Sequence, residues 1–254
     1  KSLIHFEKFN RISGIKIFNK RIFKDIYFSS RSELHGERFD GIAWGLQTCT
    51  ENFLKKWVLN CIQKFKIPDV IISGGVAQNI KALKVLLENK KIKSMWAGPV
   101  SGDGSLAIGA AWLASKIFDK KNKIKGLKNI YLGSKINDQE IKNAIKKKCQ
   151  KFKILKNVKN KQIAKWISEG LIIARCKGRM EFGQRALGNR SILADPRRHE
   201  TVEKINAKIK YRDFWMPFTP TILFEHLNKI ILNPKKIYSP FMTVAFDTKK
   251  EFIE

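Results

Sequence analysis

The sequence predicts an α/β protein of two domains, the first over residues 1–125 and the second over 126–254. Two observations predict it. Between Asp69 and about Phe118 an apolar run, a glycine turn and a helical periodicity occur twice in succession. Such units imply a parallel or mixed sheet covered by helices. Beyond the lysine-rich stretch 119–129 the helix-and-strand pattern restarts, and that stretch is the expected linker.

Taken in order, residues 51–65 put Phe53, Leu54, Trp57, Val58, Cys61, Ile62 and Phe65 on one face, a packing helix that Thr50 can cap. Asp69–Ile72 reads as a buried strand, Ser73-Gly74-Gly75 as its turn and Ile80–Leu87 as a helix. The second unit runs from a strand at Ser94–Ala97 through a turn ending in Gly102-Asp103-Gly104 to a helix from Ser105 to about Phe118. After the linker the spacing predicts helices over about 138–149 and 160–169 and strands at Phe152–Leu155 and Leu171–Ala174.

Composition narrows the function classes. No stretch reaches the roughly 18 apolar residues of a membrane span, and the N-terminus lacks a signal peptide's apolar region. Four cysteines are widely spaced with no C-x-x-C, which argues against a zinc site or disulfide framework and fits a cytoplasmic protein. The chain lacks an initiator Met and ends just after a strand-like run, so a fragment is expected. A net charge of +29 suits an RNA-binding protein, the alternative reading. The lysines, however, are scattered from end to end, whereas seven of the eleven arginines fall within 175–212. Clustered arginine suits phosphate or carboxylate recognition, and diffuse lysine argues against a designed nucleic-acid surface.

The segment Arg175–Arg197 carries the chemistry. It interleaves Gly178, Gly183 and Gly188 with Lys177, Arg179, Arg185 and Arg190, adds Asn189 and Ser191 as neutral donors, and holds one carboxylate, Glu181. Glycine lets backbone approach a ligand, and arginine forks match phosphate oxygens. Glu181 is placed to orient an arginine or to hold a nucleotide-bound metal. Ser73-Gly74-Gly75 is a plausible phosphate or adenosine cradle, and Asp103 a carboxylate at a strand–helix switch. The aromatic run Tyr211–Phe218 reads either as a stacking surface or as a buried connection behind the arginine segment.

The run Lys177-Gly-Arg-Met-Glu-Phe-Gly-Gln-Arg-Ala-Leu-Gly-Asn-Arg-Ser-Ile-Leu-Ala-Asp-Pro-Arg197 resembles the signature of the ATP-dependent O-carbamoyltransferases of nodulation-factor and antibiotic tailoring. Ile205–Arg212, Pro217–Leu223 and Ser239–Met242 follow in that family's order. Ser73–Asn79 and Gly102–Ala111 resemble its nucleotide and metal segments, and Tyr131-Leu132-Gly133 the entry to its second domain. The resemblance runs from about Arg38 to the end.

It implies part of an actin-like ATPase domain, similar to the transferase that places threonylcarbamoyl groups on tRNA, followed by a small twisted α/β domain like threonylcarbamoyl-adenylate synthase. It also implies a reaction: carbamoyl phosphate and ATP form carbamoyl-adenylate, and the carbamoyl group passes to a hydroxyl of a sugar or natural-product acceptor. Lys177, Arg179, Arg185, Asn189, Arg190 and Ser191 are then expected to bind carbamoyl phosphate and the ATP phosphates. Gly74, Gly75 and Asn79 are expected to hold nucleotide, and Asp103 to ligate a divalent metal, iron or magnesium. Two departures stand out. Gln184 replaces the family's usual Pro, and the family's His-x-x-x-His metal pair is absent, so an incomplete metal and transfer site is expected.

Overall fold

The computed structural model describes residues 1–20, 25–119, 121, 123–127, 129–148 and 152–253. Its contacts divide the chain into two compact units, Lys1–Asn122 with Asn228–Glu254, and Lys123–Leu227.

The first unit begins with helix α1 (Ser2–Glu7), the antiparallel hairpin β1 (Asn10–Ser13) and β2 (Lys16–Asn19), and helix α2 (Ile26–Glu33). The long helix α3 then spans Phe39–Phe65. It starts twelve residues earlier than the sequence reading placed it, and Thr50 is inside it. Thr50 Oγ1 donates to the carbonyl of Leu46 at 2.8 Å and caps nothing. The helix runs through Gly45 because α1 crosses there: a Cβ on Gly45 would lie 2.7 Å from that of Ser2.

The next stretch follows the expected order. Strand β3 (Asp69–Ile72) leads through a glycine turn into helix α4 (Ile80–Glu88), and β4 (Ser94–Ala97) leads into α5 (Leu106–Phe118). β3 and β4 pair in parallel, with Asp69 opposite Ser94 and Ile72 opposite Ala97. The core lies between this pair, α3 and α4, with Leu83, Leu86 and Ile92 fully enclosed and Leu54, Val58 and Met95 packed around them.

The tail joins this core. Val244 is buried in it, Ala245 N–H donates to the carbonyl of Ile80 at 3.4 Å, and Lys84 pairs with Asp247 at 2.7 Å. The tail also closes a short antiparallel pair, β7 (Ile231–Leu232) with β8 (Asp247–Thr248). The sequence reading ends the second domain with these residues; by contacts they group with the first unit.

The second unit holds helices α6 (Asp138–Lys148) and α7 (Asn160–Ser168), the antiparallel pair β5 (Ile173–Cys176) and β6 (Arg190–Leu193), and helix α8 (His199–Lys204). Residue 149, the expected end of α6, lies outside the described residues. Phe152–Leu155 forms no strand, and Phe152 is exposed. The strand expected at Leu171–Ala174 sits two residues later, in register with β6. The aromatic run is not buried: Tyr211 and Phe214 are each 83% exposed. Arg212 folds back within it, 4.5 Å over the Phe218 ring and 2.7 Å from Asn206 Oδ1.

Candidate functional site

The second unit concentrates the cations on the hairpin β5–β6 and the loop that joins its strands. Arg190 and Ser191 are on β6 itself, opposite Cys176 and Arg175, and Lys177 N–H extends the ladder to the carbonyl of Asn189 at 3.0 Å. Gly178, at φ 64°, makes the turn out of β5; a Cβ there would be strained and 3.1 Å from the Asn189 amide.

Glu181 is the centre of this loop. It is only 7% exposed, and one oxygen, Oε1, accepts the backbone N–H groups of Leu187 at 2.9 Å, Asn189 at 2.8 Å and Arg190 at 3.2 Å. Burial opposes its ionisation, but its own backbone N–H and those three prevail and hold the carboxyl below the usual range. The sequence reading offered Glu181 two tasks, orienting an arginine side chain or holding a metal. Its donors in the structure are main-chain amides.

The four expected cations fall into two classes. Arg179 donates through Nε to the carbonyl of Gly133 at 3.0 Å and through Nη2 to that of Leu132 at 2.8 Å. Arg190 donates to the carbonyls of Lys177 and Asn189 at 3.0 Å and of Gly178 at 3.3 Å. These two guanidinium groups tie strands and loop together. Lys177 and Arg185 are exposed, and among the described residues their side chains have no hydrogen-bond or ion-pair partner. Asn189 spends its side-chain amide on the carbonyl of Arg179 at 2.8 Å, and Ser191 Oγ accepts Gly188 N–H at 2.9 Å. The arrangement presents open donors to an anion from a loop that its own carboxylate already holds in shape.

In the first unit, Ser73-Gly74-Gly75 lines a cavity of about 740 Å³. Gly74 adopts φ 110°, which a side chain rarely allows, and a Cβ on Gly74 or Gly75 would meet nothing within 4 Å. The turn is clasped to the second glycine segment: Ser101's carbonyl accepts Gly74 N–H at 2.6 Å and Ser73 Oγ–H at 3.1 Å. The cavity's other walls are Phe6, Phe9, Phe53 and Trp57, with Arg11, Lys20 and Lys56 as its cations. Sequence reading missed the hairpin and α1 as walls, since nothing local links them to a turn sixty residues on.

Asn79 does not face this space with a free amide. Its Oδ1 accepts Ala82 N–H at 3.1 Å, capping α4, and its amide exchanges hydrogen bonds with Gln47 at 2.9 and 3.2 Å. The cap was legible as Asn before a helical run; the Gln47 pairing was not. Asp103 is exposed at the start of a single helical turn. Among the described residues no group of three His, Cys, Asp or Glu comes together. The residues around Asp103 therefore do not fit a metal site by themselves.

The second unit thus carries a glycine- and arginine-rich hairpin, and the first a parallel β–turn–α unit. The comparisons specify the class. Residues 3–112 match the carbamoyltransferase N-terminus and residues 164–254 the carbamoyltransferase C-terminus, so the chain belongs to the carbamoyltransferase family. It is similar to the uncharacterized protein MJ1051 of Methanocaldococcus jannaschii, with 33% identity over all of this chain and 48% of the relative. It is 30% identical to the protein sll1178 of Synechocystis over 96% of the chain and 41% of the relative. To the nodulation protein NolNO of Sinorhizobium fredii it is 29% identical, over 96% of the chain and 38% of the relative. The chain thus spans about two fifths to one half of the length of these relatives. Among the described residues no helix is long and apolar enough to cross a membrane.

Proposed function

We propose that this chain carries the carbamoyl-activating site, and part of the transfer site, of an ATP-dependent O-carbamoyltransferase. Carbamoyl phosphate, ATP and one water yield carbamoyl-adenylate, phosphate and pyrophosphate; the carbamoyl group then passes to a hydroxyl of a sugar or natural-product acceptor, with AMP leaving as its bond to the carbamoyl carbon breaks and the hydroxyl proton released. The observation that carries the reading is the pair Lys177 and Arg185, two cations with open donors on a loop that is already pinned. The family membership supports the same reading.

Mechanistically, the residues supply positioning and charge. Lys177 and Arg185 meet phosphate oxygens, and charge building on the departing pyrophosphate is what two such donors stabilise. Arg179 and Arg190 hold the loop through backbone carbonyls. Little acid–base machinery is required: pyrophosphate leaves as an anion, and the water that splits carbamoyl phosphate into carbamate and phosphate gives up its protons to the phosphate and to solvent. In the first unit the open Gly74-Gly75 turn suits close approach of nucleotide backbone. That unit is the proposed partial actin-like domain, and the second the proposed adenylate-forming domain.

The test is pyrophosphate release from ATP, with and without carbamoyl phosphate, by wild-type and Arg185→Ala chains. Release that depends on carbamoyl phosphate and disappears in the variant supports the reading. ATP binding without release assigns the first step to a longer protein, and no ATP binding rejects the reading for this chain.

A further inference from the structure

The loop's three converging amides raise a question of chemistry. A cluster of backbone N–H groups at 187–190 is the kind of concavity that binds a phosphate oxygen. Here it is filled from inside. Glu181 Oε1 takes all three donors, those of Leu187, Asn189 and Arg190. The bond to Leu187 closes the base of the loop Phe182–Ala186, which carries the exposed Arg185. Two further bonds brace this base: Phe182 N–H to the carbonyl of Ile130 at 2.7 Å, and Tyr131 Oη–H to that of Leu187 at 2.9 Å. The bond to Asn189 fixes the residue whose carbonyl receives Lys177 N–H at 3.0 Å. Both open cations therefore hang from one buried carboxylate.

We infer that Glu181 is a positioning residue: it acts as the loop's internal anion, holding Arg185 and Lys177 in their phosphate-gripping arrangement before any substrate arrives. Such a carboxylate contributes twice. It removes the ordering cost that a floppy cationic loop would meet on binding. It also occupies the amide concavity, so an incoming phosphate is met by side-chain cations and not by the backbone nest. The loop thus selects anions presented to its outer face, a phosphoanhydride or acyl phosphate reached by Arg185, and excludes deep insertion of a lone phosphate.

The inference rests on the proposed anion-binding role of the loop, and a double-mutant cycle separates the two. ATP and inorganic pyrophosphate are titrated calorimetrically into the whole chain as wild type, Glu181→Ala, Arg185→Ala and the double variant, with thermal unfolding recorded alongside. Glu181→Ala is expected to weaken both ligands about tenfold or more. In the Arg185→Ala background the same change is expected to cost clearly less, about threefold, because of the two groups it positions only Lys177 remains. Glu181→Gln, which keeps an acceptor oxygen, is expected to recover most of the affinity. If Glu181→Ala does not fold, Glu181→Asp, whose shorter arm withdraws the oxygen from Leu187, replaces it in the cycle. Equal losses in both backgrounds, or no loss, overturn the positioning role while leaving the functional reading intact. Wild-type protein that binds neither ATP nor pyrophosphate overturns that reading and this inference together.

Discussion

The Nζ of Lys235 donates to the carbonyl of Asn89 at 2.6 Å, across 146 positions of sequence. The same ammonium reaches the carbonyls of Ile92, also at 2.6 Å, and Leu87. It satisfies the carbonyl end of α4, where a cation also complements the helix dipole. Burial alone pulls its pKa below the ordinary lysine value. The tail that follows the second unit in sequence is thus fastened to the first by a cap no local pattern supplies.

Lys235→Met keeps the stem and removes the ammonium, leaving three carbonyls short of a donor. The expected cost is about 1–3 kcal/mol of first-unit stability. Hydrogen exchange should show protection lost over α4 and the tail together, while the β5–β6 hairpin keeps its own. Unchanged protection at α4 would mean water replaces the cap at no cost.

The two classes of loop cation should separate in experiment. Arg185→Ala and Lys177→Met remove exposed side chains with no described internal partner, so unfolding should shift by less than ~0.5 kcal/mol while anion-dependent turnover falls by about 10²–10³. Arg179→Ala should instead lower stability by about 1 kcal/mol, since its guanidinium ties the hairpin to Leu132 and Gly133. Paired unfolding and pyrophosphate-release measurements check the contrast; the reverse order would reject the assignment.

Asp195 gives the second unit an acid sensitivity. The Arg197 guanidinium grips its carboxylate with Nε and Nη2, the latter at 2.6 Å, and with its backbone N–H lowers the carboxyl from 3.8 to about 2. The folded group therefore titrates below the unfolded one. Its contribution is complete above about pH 4 and lost as the pH falls towards 2. Asp195→Asn should flatten this limb of a denaturant-midpoint series between pH 5 and pH 2. An unaltered limb would place the acid sensitivity in other carboxylates.

His5 provides a similar test near the cavity. It is 2% exposed, with Nδ1 donating to Glu33 at 3.0 Å and Nε2 bonded to Ser30 Oγ at 3.0 Å. α2 buries none of its own residues, so polar ties to α1 through His5 and Lys8 do much of its docking. His5→Leu should release α2, raising its exchange and costing about 1–3 kcal/mol. A helix that stays protected would show the ties to be dispensable.

Where a pattern was local, the chain could be read directly. β3, its glycine turn, α4, β4 and α5 follow from periodicity and turn chemistry within fifty residues. The arginine–glycine segment was legible for the same reason: its residues are neighbours in sequence, and its order is specific to one family. Reading failed where an element depended on a distant partner. α3 continues upstream through Gly45 because α1 packs there, and Phe152–Leu155 has strand-like composition but forms no strand.

By itself the sequence determined the α/β class, the cation-rich segment and the family. Tertiary structure decided which partners each charged residue meets. Lys177 and Arg185 look equivalent to Arg179 and Arg190 in the chain, yet one pair faces outward and the other binds carbonyls brought to it from Lys177–Gly178, Asn189 and Leu132–Gly133. That Glu181 Oε1 would meet three main-chain amides was not legible in the chain. A side chain's role depends on which donors and acceptors remain unsatisfied around it, and that balance exists only once distant backbone has been brought together.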